Sequence, residues 1–439
     1  ALTVKAGLSW KQINIIKTYR AYLLQIDPAT SREKVNYTLL KNTTICKTLV
    51  IYFEEKFNPS LKEPPKKRKL PQLNKAISRF QDNIRKVSDI TEDIILKRLF
   101  SIMKETLRTN YFIPKTSDNF ISIKLNTQKI QLPQPIPYRE IFVYDTEMEG
   151  THLRFGPIAR GGLRWSNRRD DFRKEILSLV KTQQTKNVVI IPVGSKGGFT
   201  IKKTLTPDNT IEESKKQYQK FIKGLLDITD NITPSGSITT PTHIVRYDNQ
   251  DPYLVVAADK GTASFSDLAN KISKQYNFWL GDAFASGGSN GYNHKDVGIT
   301  AKGAWECVKL HFKEMDINIQ KEPATVLGIG DMSGDVFGNG MLLSKTLKLQ
   351  AAFNHAHIFL DPNPNPKSSW KERHRLFNLS HSKWTDYSQH QISKGGGIFD
   401  RNAKEIKLSP EVQRLLNTKE NILNGDQLVK MILKMDIDL

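Results

Sequence analysis

The stretch His152–Lys202 reads HLRFGPIARGGLRWSNRRDDFRKEILSLVKTQQTKNVVIIPVGSKGGFTIK, with glycine pairs and unmatched cations set around one amphipathic run and one apolar run. Phe172, Ile176, Leu179 and Val180 recur at helical spacing, and Asn187–Val193 is an apolar run bounded by Pro192 and Gly194. Helix followed by buried strand predicts an α/β fold. Glycine takes positive φ cheaply and lets a ligand approach the backbone, so the paired glycines read as anion-binding loops. Arg160 precedes Gly161 and Gly162, Lys186 ends the helix, and Lys196 sits inside GSKGG. Three cations at element ends suit a substrate with two carboxylates and a reacting centre. Taken singly, Lys186 reads more readily as a solvated helix-end lysine and Arg160 as a loop cation. Lys196 stands apart, because desolvation beside other cations would lower its pKa and fit it for proton transfer.

Further along, Ala324–Gly328 (ATVLG) reads as a short strand feeding GIGDMSGD. Gly328, Gly330 and Gly334 give GxGxxxG, with Ser333 where the usual third glycine would stand. Val336, Met341 and Leu342 place a helix after it, so a dinucleotide pyrophosphate would rest on the helix N-terminus. Leu347–Phe353 and His357–Leu360 are the next strands. An acid for the adenosine ribose is expected after the second strand, but Asn354 holds the nearer position and Asp361 lies further on. Asp331 reads as a neighbour of the nicotinamide or as a helix cap, the cap being favoured. Phe278–Lys302 reads as the join between substrate and cofactor parts, leading into a helix with Ala304, Val308 and His311 or Phe312 on one face. His294 and His311 lack HxxxH or CxxC companions, so no metal site is expected.

The 439 residues are 38% hydrophobic, enough for two or three cores. No apolar run approaches the roughly 20 residues that span a bilayer. Two cysteines, Cys46 and Cys307, make no disulfide framework, and nothing resembles a secretory signal, so a cytoplasmic setting is expected. Ala1 in place of methionine suggests a processed or excerpted chain. A net charge of +21 raises nucleic-acid binding as a remote alternative. Only PPKKRK, Pro64–Lys69, is dense, and no aromatic-interleaved module accompanies it. Trp10, Ile13, Ile16 and Tyr19, then Ile90, Ile94, Ile95, Leu99 and Ile102, make the first 110 residues helical, with a start near Ser88. Residues 115–145 alternate like strands and predict a hairpin or short sheet.

Five stretches in order carry a resemblance: Ala159–Ser166 (ARGGLRWS), Thr185–Gly198 (TKNVVIIPVGSKGG), Asp251–Asn270 (DPYLVVAADKGTASFSDLAN), Phe278–Lys295 (FWLGDAFASGGSNGYNHK) and Gly328–Met341 (GIGDMSGDVFGNGM). Together they resemble the glutamate dehydrogenases, most closely the very large bacterial NAD-dependent class. The resemblance implies that Arg160, with Gly161, grips the distal carboxylate of glutamate and Lys186 its α-carboxylate. It implies that Lys196 and Asp259 are catalytic, and that Thr300 lies near the nicotinamide. Smaller family members have lysine where Arg160 stands, so a guanidinium fork would replace a point charge. From local sequence alone Asp259 is equally an acid at a helix N-terminus. The choice of NAD over NADP rests on the resemblance.

The expected organisation is a helical support region (1–112), a substrate domain of glutamate dehydrogenase type (113–315) and a partial Rossmann-like NAD-binding domain (316–439). Family members of this class continue beyond the position of Leu439, so the last domain is expected to lack strands and to leave a sheet edge exposed. The implied reaction is oxidative deamination of L-glutamate to 2-oxoglutarate and ammonia, by a homo-oligomer or together with a missing C-terminal segment. The alternative is a silent remnant that still binds dicarboxylates.

Overall fold

The computed structural model describes residues 2–27, 29–60, 71–114, 119–186, 193–206, 208–259, 262–289, 291, 297–332, 334–379 and 382–439, without the side chains of 185, 186 and 263. The basic cluster Pro64–Lys69, His294 and Ser333 lie outside these residues. The chain divides into two compact units, Ala1–Gly291 and Tyr292–Leu439, and the boundary falls inside Phe278–Lys302.

The first unit begins with six helices: α1 (Leu2–Ala6), α2 (Trp10–Ile26), α3 (Arg32–Lys41), α4 (Thr43–Phe57), α5 (Pro71–Ile84) and α6 (Ile90–Lys104). Ser9 and Gln12 form a reciprocal capping box at the start of α2. Ile16 and Tyr19 are buried, but Trp10, on the same periodic face, is 59% exposed. Asp89, not Ser88, caps α6, its Oδ1 accepting from the Glu92 N–H at 2.9 Å. The helices share one apolar core with sheet residues Ile121, Ile123, Leu125 and Phe142, so this region is packed onto the sheet from its own sequence outward.

The sheet contains β1 (Thr106–Thr109), β2 (Ile121–Leu125), β3 (Arg139–Tyr144), β4 (Met148–Arg154), β5 (Ala159–Arg160), β6 (Gly162–Trp165), β7 (Val193–Ile201), β10 (Val256–Ala258) and β11 (Ala285–Ser286). A separate small hairpin is formed by β8 (Asn231–Ile232) and β9 (Ile238–Thr239). The order is β1-β2-β3-β4-β7-β6-β10-β11, with β5 also on β7. The meander β1–β4 is antiparallel and β4 joins β7 antiparallel; β7, β6, β10 and β11 are mutually parallel. Of the expected strand Asn187–Val193 only Val193 is described, as the first residue of β7.

Both glycine pairs depart from the expected loops. GSKGG lies inside β7, and Gly161–Gly162 link and open the short strands β5 and β6. None of Gly161, Gly162, Gly197 and Gly198 has positive φ. Their use is steric. A Cβ on Gly198 would stand 2.4 Å from Ile176 Cδ1, so the glycine lets helix α7 (Phe172–Lys186) lie against β7. Leu153, Ile176, Leu177 and Val180 form the core between them. The first turn of α7 is fixed by a wholly buried fork: Arg173 Nε and Nη2 each donate to Glu140 at 2.8 Å. Glu140 also accepts from Tyr22 Oη at 2.8 Å and Thr151 Oγ1 at 2.6 Å. Helices α8 (Thr210–Leu226) and α9 (Ser266–Gln275) cover the opposite core.

The second unit carries a four-stranded sheet, β12 (Ala324–Ile329), β13 (Leu347–Phe353), β14 (His357–Leu360) and β15 (Gly397–Asp400), in that order. Only β12–β13 is parallel. A small hairpin, β16 (Ile406–Lys407) with β17 (Ile422–Leu423), follows. The outer edge of β12 is not bare as expected, because the Leu327 N–H donates to the Leu439 carbonyl and the Leu439 N–H to that of Thr325. Helix Ile299–Glu314 belongs to this unit and buries Ala301, Trp305 and Phe312, while Ala304 faces out. After the glycine turn comes one π-helical turn, Val336–Gly340, and a 3-10 turn, Met341–Leu343, in place of the expected α-helix. Gly338 and Gly340 explain this, since each lowers helix stability by about 1 kcal/mol. Among the described residues no helix is long and apolar enough to cross a membrane.

Candidate active site

Three adjacent parallel strands build the site in the first unit. In the register Leu163 of β6 stands opposite Gly197 of β7 on one side and Ala258 of β10 on the other. Side chains alternate along strands, so Lys196, Arg164 and the residue after β10, Asp259, share one face. Lys196 Nζ lies 2.8 Å from Asp259 Oδ2, and Arg164 Nη2 lies 3.2 Å from Asp259 Oδ1. Both side chains of the Lys196–Asp259 pair are under one-fifth exposed, which leaves the pair reachable from solvent while limiting its screening.

Glycines make this meeting possible. A Cβ on Gly162 would stand 3.0 Å from Asp259 Cβ, and one on Gly161 only 1.5 Å from the Ser195 carbonyl oxygen. Gly161 therefore admits the neighbouring strand. Thr262 fastens Asp259 to β6: its Oγ1 donates to the Leu163 carbonyl at 2.7 Å and accepts from the Asp259 N–H at 3.0 Å. The alternative of Asp259 as a helix-start acid is not what the structure has, since α9 begins at Ser266 and the carboxylate is directed to Lys196 and Arg164.

Arg164, Glu175 and Ser166 were not singled out by sequence. Arg164 Nη1 donates to Glu175 Oε1 at 3.1 Å, and Ser166 Oγ to Glu175 Oε2 at 2.5 Å. Burial works against the Arg164 charge, but hydrogen bonds to Glu175 and Asp259 outweigh it and hold the guanidinium above its ordinary value. The available signal was ARGGLRWS itself, whose second arginine sits two residues past Gly162 on the face of Lys196.

The other expected residues are placed as follows. Arg160 ends β5, is exposed, and pairs in register with Gly194, two residues before Lys196; its carbonyl accepts from Gln183 Nε2 at 3.1 Å. Lys186 is the last residue of α7, its side chain outside the described set.

In the second unit Gly328 lies in β12 and Gly330 turns the chain at φ +145°, its N–H donating to the Phe353 carbonyl at 2.9 Å. Trp384 Nε1 donates to the Gly330 carbonyl at 3.0 Å. Among the described residues the Asp331 carboxylate caps no helix; it accepts from Asn354 Nδ2 at 2.7 Å, which joins the ends of β12 and β13. Gly334 closes the turn, its N–H donating to the Asp331 carbonyl at 2.8 Å. Thr300 is the exposed second residue of helix Ile299–Glu314. Asp361 is fully buried and accepts from the Ser393 N–H and hydroxyl, so it is unavailable to a ribose.

The family model described as bacterial NAD-glutamate dehydrogenase, catalytic domain, matches residues 79–439, and glutamate dehydrogenase, helical motif 3, matches residues 1–59. The chain is 48% identical to the NAD-specific glutamate dehydrogenase of Mycobacterium tuberculosis over all of its own length and 28% of that protein. It is 48% identical to that of Pseudomonas aeruginosa, likewise over its whole length and 27% of the relative. The chain thus spans a little over a quarter of these relatives. Among solved structures it is similar to the glutamate dehydrogenase of Plasmodium falciparum (TM-score 0.37, 17% identity, 89% of this chain and 64% of that one), a likeness too loose to bear on the site. A family model that covers residues 79–439, and relatives nearly half identical along the entire chain, show that this protein belongs to the bacterial NAD-glutamate dehydrogenase family and carries its catalytic domain.

Proposed function

We propose that the chain carries out the chemical step of NAD-dependent oxidative deamination of L-glutamate to 2-oxoglutarate and ammonia. The observation that carries this reading is the Lys196–Asp259 pair at 2.8 Å, set on one strand face beside Arg164. Oxidation at Cα needs a neutral amine, loss of hydride, attack of water on the substrate iminium, and departure of ammonia. Asp259 takes a proton from the substrate ammonium and returns it to the leaving amine. Lys196 deprotonates the attacking water and stabilises the charge that develops on its oxygen. Arg160 and Lys186 hold the distal and α-carboxylates, fixing the Cα–H in orientation.

The turn in the second unit suits a dinucleotide. Gly330 adopts a conformation that favours glycine, and Asp331 and Asn354 stand together where β12 and β13 end. Gly328, Gly330, Asp331, Ser333, Gly334 and Thr300 are the residues that would hold NAD, which when bound supplies the hydride acceptor.

The test is NADH formation from L-glutamate and NAD by the purified chain, beside Lys196→Ala shown by circular dichroism to be folded. Turnover lost in the variant supports the reading, and turnover that survives Lys196→Ala overturns it. If neither protein turns over, yet the wild type binds 2-oxoglutarate and Arg160→Ala does not, the chain is a dicarboxylate-binding piece of the larger enzyme.

A further inference from the structure

We propose that Arg164 is the positioning residue that competes with Lys196 for the Asp259 carboxylate and so sets how readily Lys196 gives up its proton. The inference rests on the deamination reading only for its purpose; its geometry stands alone. Along one face run Ser166, Glu175, Arg164, Asp259 and Lys196, each hydrogen-bonded to the next at 2.5, 3.1, 3.2 and 2.8 Å. Within the row Glu175 and Asp259 are the anions, Arg164 and Lys196 the cations.

The four charged groups come from four elements. Glu175 descends from α7, Arg164 rises from β6, Lys196 from β7, and Asp259 follows β10. On the far side of Lys196 the register neighbour is Leu153 of β4, which is uncharged and buried. Arg160 of β5, in register with Gly194 two residues before Lys196, adds a cation on a neighbouring strand, while Asp259 is the member of the row that Lys196 bonds directly. Arg164 stays charged at any working pH, and holds Oδ1 of Asp259 while Lys196 holds Oδ2. When Lys196 passes into its neutral form, Asp259 is not stranded as a half-buried anion, because the guanidinium remains beside it. Glu175 tunes this from the other side, drawing Arg164 away from Asp259. Ser166 and the packing of Ile176 on Gly198 fix where Glu175 can reach.

The experiment reads Lys196 directly and needs no turnover. The full chain is acetylated briefly with acetic anhydride across a pH series, and modification at Lys196 is followed by mass spectrometry. Arg164→Gln removes a cation from the carboxylate that Lys196 faces, and the midpoint of labelling moves up by about one pH unit. Arg164→Lys keeps the second cation and stays near wild type. Glu175→Gln lets Arg164 turn wholly to Asp259, and the midpoint falls. In an Asp259→Asn background the effect of Arg164→Gln vanishes, since the influence passes through the carboxylate. An unmoved midpoint in Arg164→Gln, or a shift that persists with Asp259→Asn, overturns the proposal. Should Arg164→Gln fail to fold, the fall in Glu175→Gln decides the same question, and no fall there counts against it. Lys196-dependent turnover with an unmoved midpoint would leave the deamination reading intact and remove only this role for Arg164.

Discussion

Lys196 and Asp259 meet across a strand to which neither belongs: β6 runs between β7 and β10, and the pair closes over it at Gly162. The two adjacent glycines therefore answer differently to a methyl group. In Gly161→Ala the new Cβ would fall 1.5 Å from the Ser195 carbonyl oxygen, a backbone atom that cannot yield without parting the strands. The expected loss is about 3 kcal/mol or more, read by thermal unfolding. In Gly162→Ala the contacts are 3.0 Å to Asp259 Cβ and 3.1 Å to the Ala258 carbonyl oxygen, so the protein loses less than Gly161→Ala, about 1–2 kcal/mol, while the carboxylate is displaced from Lys196. Equal melting temperatures for the two variants would contradict this.

The buried fork between Arg173 and Glu140 is expected to hold α7, and with it Glu175, in place. Removing one partner strands a charge that is essentially sealed from solvent. Arg173→Met should cost about 3–5 kcal/mol in denaturant unfolding. The double variant Arg173→Met, Glu140→Met should recover a good part of that loss, because no uncompensated charge is left. A double variant less stable than the single one would show that the pair is worth more than its burial costs.

This network marks the limit of what the sequence discloses. The amphipathic run around Phe172 and Val180, the helical N-terminal region and the strand at Ala324 follow from local periodicity and are present. Lys196 and Asp259 are 63 residues apart and were reached through motifs. Arg164 was missed because its role arises only when β6 is threaded between two later strands. Likewise nothing in TLRT marks Arg108 as fully buried, since its partners Asp230 and Asp248 lie 122 and 140 residues on. The glycine pairs misled for a related reason: glycine reports that something comes close, without saying whether it is a ligand or another strand.

His152 gives a pH dependence with a definite sign. Burial, with Arg154 nearby, lowers its imidazole to about 3 from an ordinary 6.5, so the folded protein keeps it neutral. The unfolded chain takes up the proton as pH falls through 6.5, so stability declines from there and the decline from this group ends near pH 3. The slope is about 1.4 kcal/mol per pH unit. His152→Gln should flatten the acid side of the stability profile between those limits, as measured by urea unfolding at a series of pH values. An unchanged slope would mean that the ring is protonated in the fold.

The turn between β12 and β13 makes the sharpest distinction, because its two first glycines are required for different reasons. Gly330 has φ +145°, and a Cβ there would have 3.6 Å of clearance from Phe337, so Gly330→Ala pays only in backbone conformation, about 1–3 kcal/mol. Gly328 has no such φ, but its Cβ would stand 2.4 Å from the Phe337 ring. Both single variants should lower the melting temperature and weaken NADH binding in calorimetry. Phe337→Leu should rescue Gly328→Ala in part, since it vacates the space the methyl needs. It should do nothing for Gly330→Ala, whose strain is internal to the residue. Rescue of both, or of neither, would show that the ring does not set the shape of this turn.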